Sequence, residues 1–293
     1  SHTAGYLGTY ARLIEPTSQD GKEEMFLAGE NRYIANQDNF MKIPGIPIAY
    51  WVKESVLSTF ENGESLERMA YPKKGLATTD NERFLRYWYE VSSERIGINF
   101  KNREAAANSG KKWFPLNKGG EYRRWYGNTD YVINWENDGE EIKAAIIKRY
   151  KGGSYTKEIR NEDKYFSDSI TWSALTTNLS SFRFSTHGAL FDSAGSSMFP
   201  VNNATYILSV LNSTVTDYIL NIINPTLNYG AGTVAKIPII SDKTSQLHVD
   251  FYGKKNVALS LEDWDSFETS WDFQHHPMVS NQCSAATVQS SPI

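Results

Sequence analysis

Residues 109–128, SGKKWFPLNKGGEYRRWYGN, collect groups suited to a polyanion. Lys111, Lys112, Lys118, Arg123 and Arg124 face a single acid, Glu121, with five aromatic residues and four glycines interleaved. Lys and Arg neutralise phosphates, glycines let backbone N–H groups come close, and aromatic rings stack on bases. A second reading of the same composition makes Trp113, Phe114 and Trp125 core strand residues and the cations a solvated face. Composition leaves both open, and Arg149, Lys151, Lys157 and Arg160 tilt the balance towards nucleic acid.

Other groupings carry less chemistry. Gly230-Ala-Gly232-Thr-Val-Ala235 matches a nucleotide-binding GxGxxA string. That string works only between a strand and a helix N-terminus, and Pro225 before it and Pro238 after it predict neither. His275-His276 has no third metal ligand at useful spacing. SAGSS at 193–197 is not a nucleophile elbow. The pairs Glu140-Glu141 and Asp263-Asp265 complement helix ends rather than forming an acid–base couple. No set for covalent, metal or acid–base catalysis emerges, so a free-standing enzyme is disfavoured.

The net charge of −4 hides an asymmetry. From Tyr71 to Tyr126 there are twelve Lys or Arg against six acids, while from Ser241 onward three bases face seven acids. Such asymmetry directs binding more than the sum does. The lone cysteine, Cys283, rules out an internal disulfide and fits a reducing compartment. With no apolar run of about 18 residues and no signal peptide in view, a cytoplasmic protein without membrane contact is expected. Ser1-His2 reads as a tag remnant, and the closing run SNQCSAATVQSSPI as a polar tail.

The elements that must position these groups are short. TYARLIE, Arg83 to Val91, TDYVINW, FRFS and KIPII read as strands. Ser55–Phe60, Asn102–Asn108 and Gly139–Lys148 read as short helices. Apolar residues keep a helical period over Asn203–Ile223, which predicts one helix packing Leu208, Leu211, Val215 and Ile219 against a sheet. Ser260 to Asp263 reads as a capping box that starts a last helix. The class is α+β, with mixed or antiparallel sheets and short helices.

The order of several strings carries a resemblance. KGLATTDNERFLRYWYEV, the basic window with TDYVINWENDGEEI, SITWSALTT, GALFDSAGSSMFP, NPTLNYGAGTVAKIPI and LEDWDSFETSWDF follow one another from about Thr9 to Pro277. In that order they resemble the C-terminal target-recognition region of the PglX family, the adenine-specific DNA methyltransferases of BREX phage-defence systems. Leu211-Asn212-Ser213 followed by Lys236-Ile-Pro238 is also similar to the specificity subunits of type I restriction enzymes.

The resemblance implies a target-recognition fold like that of those subunits and of Taq-type adenine methyltransferases. It divides the chain into a lead-in to a methyltransferase domain (1–60), a recognition domain (61–277) and a polar, disordered or truncated tail (278–293). The family's catalytic Asn-Pro-Pro-Tyr is nowhere in the chain. The implied role is therefore non-catalytic, with S-adenosylmethionine a cofactor of the parent enzyme only.

The implied partner is double-stranded DNA. Lys111, Lys112, Lys118, Arg123 and Arg124 would position it by its phosphates, together with Lys74. Thr78, Asn81, Arg83 and polar residues from Thr171 to Asn178 would read bases, Arg suiting guanine and Asn adenine. The competing partners are other BREX proteins or a DNA-mimicking phage inhibitor. One departure stands out: Thr79 occupies a turn position where the family pattern has glycine.

Overall fold

The computed structural model describes residues 3–176 and 179–279. Ser1-His2, Asn178 and the tail from Ser280, Cys283 included, lie outside the described residues. In chain order, β1 (Leu7–Ala11), α1 (Gln19–Leu27) and β2 (Arg32–Asn36) precede α2 (Glu54–Asn62), β3 (Glu64–Ser65) and α3 (Leu66–Ala70). Next come α4 (Asn81–Phe84), β4 (Leu85–Tyr87), α5 (Arg103–Ala107), β5 (Trp113–Asn117), β6 (Tyr131–Asn134) and α6 (Glu136–Arg149). Strands β7 (Ser169–Trp172), β8 (Phe182–Ser185), β9 (Leu190–Phe191) and β10 (Ser197–Met198) lead to α7 (Ala204–Leu211) and α8 (Thr214–Ile223). The described chain closes with α9 (Ala231–Val234), β11 (Pro238–Ile239) and α10 (Lys243–Asp265).

Two sheets organise these pieces into an α+β fold. One is mixed, in the order β4-β6-β5-β9, with β5 and β9 parallel and the other pairs antiparallel. The other is antiparallel, in the order β10-β7-β8. All five residues of β5 are buried, because β6 and β9 flank it in the sheet and its side chains meet apolar partners. Phe114 and Leu116 join a core with Ile133, Trp135, Ile142 and Phe191. Trp113 turns the other way, towards Ile96 and Val132. Trp113 and Phe114 are thus core strand residues, as the second reading of the basic window held. A second core gathers Trp172 and Phe182 of the antiparallel sheet with Leu208, Leu211 and Leu220.

Local signals placed several elements. Asn102 caps α5 by accepting from the Ala105 N–H, and α2 lies where expected. Arg83 to Val91 differs: the Asp80 side chain accepts from the Arg83 N–H, so one helical turn forms before the short β4.

The expected single helix over Asn203–Ile223 is two, bent by 69°. Its break is built. The Asn212 side chain accepts from the Phe182 N–H and donates to the Phe182 carbonyl, both at 3.0 Å, while Ser213 caps α8. Leu208, Leu211 and Ile219 are buried as expected, but the bend turns Val215 outward to 60% exposure.

The Ser260–Asp263 string does not start a helix. It lies inside α10, whose N-cap is Asp242, bonded to the Thr244 and Ser245 N–H groups. α10 crosses α7 closely at Gly253, where a Cβ would meet Ser209 Oγ at 2.4 Å. Pro238 also permits more than expected: one helical turn, α9, follows Gly230, and it is preceded by loop rather than strand.

Candidate nucleic-acid interface

β5 separates two basic ends. Lys112 and Lys118 flank the five residues of this strand, six extended steps or roughly 20 Å apart, so the sequence window is not one patch in space.

Beyond the carboxyl end of β5 the chain turns through Gly119 and Gly120 at φ +89° and +131°, a region that favours glycine. Lys118 then folds back to pair with Asp192 at 2.6 Å. Asp192, nearly buried, also accepts from the N–H groups of Ala194 and Gly195, fixing the SAGSS loop. Arg124 pairs with Asp217 of α8 at 2.8 Å, and Asp217 accepts from both the N–H and hydroxyl of Ser180. Arg123 pairs with Asp263 of α10 at 2.9 Å and covers the Trp264 ring. Lys74 is exposed, with no carboxylate partner among the described residues. Two concavities open at this end. One, of about 360 Å³, is lined by Gly120, Tyr122, Ser173 and Ser181. The other, of about 330 Å³, is lined by Lys74, Ser193, Ser196 and Gly230. Leu175, 69% exposed, borders both.

The amino end of β5 is looser. Lys111 donates to the Glu94 carbonyl at 2.5 Å, and Lys112 stands 3.8 Å from Glu136. Arg83 binds Glu141 at 2.6 Å, and this bond holds the Glu141 carboxyl below its usual range. Arg83, Lys148 and Arg149 line a cleft of about 500 Å³ with Thr79 and Asp80. Thr79 adopts φ +60°, a conformation that favours glycine, and Arg149 donates to its carbonyl at 3.0 Å, bracing that conformation.

Of the ten candidate residues, Lys74, Lys118, Arg123 and Arg124 gather at the carboxyl end, and Asn81, Arg83, Lys111 and Lys112 at the amino end. Asn81 is exposed, while Thr78 is buried and donates to the Asn81 side chain. Thr171 is buried too, its hydroxyl directed to the carbonyls of Gly195 and Ser196.

The carboxylates that hold these cations, Asp192, Asp217 and Asp263, lie 74, 93 and 140 residues away from them; only Asp263 drew a reading from the sequence, as a complement to a helix end, and it lies instead in the last turn of α10, paired with Arg123. Sequence reasoning passed over Arg183 of β8, which is 1% exposed yet has no carboxylate partner among the described residues. Only its place in the apolar string FRFS marked it. Among the described residues no group of three or more His, Cys, Asp or Glu side chains could hold a metal ion.

The structure is thus an α+β domain whose cations sit on loops at the two ends of a buried strand. No protein-family model matches the chain. Over 94% of its length it is 36% identical to the adenine-specific methyltransferase PglX of Lacticaseibacillus casei (strain Zhang). Over 98% of its length it is 34% identical to the adenine-specific methyltransferase BrxX of Escherichia coli O9:H4 (strain HS). Identity sustained across nearly the whole chain makes it homologous to both. The chain spans 23% and 22% of the lengths of these two relatives. Among the described residues no single helix is long and apolar enough to cross a membrane.

Proposed function

We propose that this chain is the DNA target-recognition part, C-terminal in the parent, of a site-specific adenine methyltransferase of a BREX defence system. It holds duplex DNA in the cytoplasm while a separate methyltransferase domain carries S-adenosylmethionine and the catalytic residues. Base-modifying enzymes act on a nucleotide swung out of the stack, so a second body must grip the duplex and read its neighbours. The observation that carries the proposal is the carboxyl end of β5. There Lys74 lines one of two concavities, and Lys118, Arg123 and Arg124 lie on the adjoining loops, Lys118 and Arg124 held by buried carboxylates. The cations position phosphates, with Lys111 and Lys112 extending the track. Asn81 and Arg83, both exposed, read base edges, while Thr78 braces Asn81 and Thr171 braces the 193–197 loop at the other end.

Fluorescence anisotropy on duplexes at several salt concentrations tests this. Affinity should fall with salt at a log–log slope of about −0.9 per phosphate neutralised. Calorimetry with S-adenosylmethionine should show no saturable micromolar binding to the chain alone. A second reading draws on the ion pairs themselves. With Asp192, Asp217, Asp263 and Glu141 already beside the cations, the surface suits a protein partner, either another BREX component or a DNA-mimicking inhibitor. Tight, salt-insensitive capture of such a protein without any duplex binding would favour it.

A further inference from the structure

Arg183 is the most deeply buried cation near the proposed DNA face, and its hydrogen-bond set is incomplete. Nη1 donates to the Arg123 carbonyl at 3.1 Å and to Ser181 Oγ at 3.2 Å, and Nη2 donates to Ser173 Oγ at 3.3 Å. Nε has no partner in the described structure. Burial pulls the guanidinium down to about 10, so it is still charged at neutral pH. An ionised group out of water without a counter-ion is costly unless something compensates it. The carboxylate whose field reaches it, Asp130, makes no ion pair with it. Arg123 adds a further positive charge on the same side.

The two hydroxyls that accept from Arg183 line the 360 Å³ concavity. Ser173 passes its own proton to the Gly120 carbonyl at 3.1 Å. Ser181 has no acceptor for its proton among the described residues, and it is 4% exposed. An O–H whose oxygen already accepts from a cation is a stronger donor. Arg124, 5.5 Å from the Tyr122 ring, is already paired with Asp217 and adds little net charge to the space. Glu121 also lines the space but is exposed, where water and salt screen it.

The geometry points to a seat for one phosphodiester in this concavity, held by the Ser181 hydroxyl and by the field of the buried Arg183. The inference rests on the duplex-binding reading above and names a single contact within it. Its physical logic is a charge stored behind the wall. Arg183 needs no rearrangement to receive the anion, and the anion adds negative charge near a guanidinium that, among the described residues, has only carbonyl and hydroxyl partners.

The test scans duplexes carrying one neutral methylphosphonate at successive positions, with the wild-type chain and with Ser181→Ala. For the wild type, one position should weaken binding about tenfold, the scale of one hydrogen bond to a charged group. Ser181→Ala should bind the unmodified duplex about tenfold more weakly and lose no more at that position. Additive losses at every position, with duplex binding intact, would overturn the seat and leave the DNA reading standing. No duplex binding by the wild-type chain would remove both. A second readout needs no variant: the buried Arg183 Nε–H should give a distinct nitrogen-15 resonance that moves when duplex saturates the protein. A resonance unmoved at saturation would equally overturn the seat.

Discussion

The two ends of β5 carry similar numbers of cations in different settings. At the amino end, Arg83 and Glu141 pair with side chains 52% and 44% exposed, and Lys112 is only loosely opposed by Glu136. At the carboxyl end, Lys118 and Arg124 pair with carboxylates whose side chains are 4% and 9% exposed. An exposed pair contributes little, since water already solvates both partners. A pair with a buried carboxylate is different, because losing the cation leaves a charge that water cannot reach. Lys118 and Arg124 therefore close loops onto the core, which none of the amino-end cations does through a buried carboxylate.

The sharpest way to break this comparison is Asp192→Ala. It strands Lys118 and frees the Ala194 and Gly195 N–H groups, and should cost about 3–5 kcal/mol in urea unfolding. A loss under about 1 kcal/mol would place both ends in the same class.

Charge removal separates the ends next. Lys74→Ala with Arg123→Ala, and Lys111→Ala with Lys112→Ala, each delete two cations. If both ends touch phosphates, each pair should flatten the salt dependence of duplex binding by up to about 1.8, with the fold intact by circular dichroism. An unchanged slope for one pair removes that end from the interface.

A smaller effect follows from His187, which contacts Tyr126 and meets the Trp271 ring edge-on. Burial lowers its pKa from 6.5, with Asp272 and Asp265 raising it, Lys101 lowering it and Asp168 raising it. The unfolded chain then binds the proton more readily than the folded one. The contribution is present above pH 6.5 and is lost as pH falls through the window below it. Urea midpoints should drop from pH 7.5 to 5.5, and His187→Phe should reduce that drop. An equal drop in the variant would assign it to other groups. Least of all, Glu141→Gln at the amino end should change stability by no more than about 1 kcal/mol, read from the same urea curves.

The strands and caps legible in the sequence are those set by neighbours in the chain. Asn102 caps three residues ahead, and TDYVINW carries its own apolar run into β6. What escaped was decided at a distance. The break between α7 and α8 depends on Phe182, 30 residues before Asn212, so helical periodicity ran straight through it. Thr171 read as a polar residue free to touch a partner, but the carbonyls it serves lie 24 and 25 residues on. The basic window looked like one site because five cations share twenty residues, and the buried strand in its middle pulls them apart. Arg183 left only the string FRFS as a trace, and a charged residue in such a string is usually exposed, which this one is not.

Gly253 makes α10 a lever. The helix bears on α7 at that residue, and Asp263, which holds Arg123, lies ten residues further along, about 15 Å at 1.5 Å per residue. A side chain at 253 that pried the helix away by a tilt of about 10° would swing Asp263 by roughly 2.6 Å, enough to part it from the guanidinium. The charge offered by Arg123 can thus be retuned from a position that touches neither Arg123 nor any ligand, with the fulcrum set by a missing methyl group.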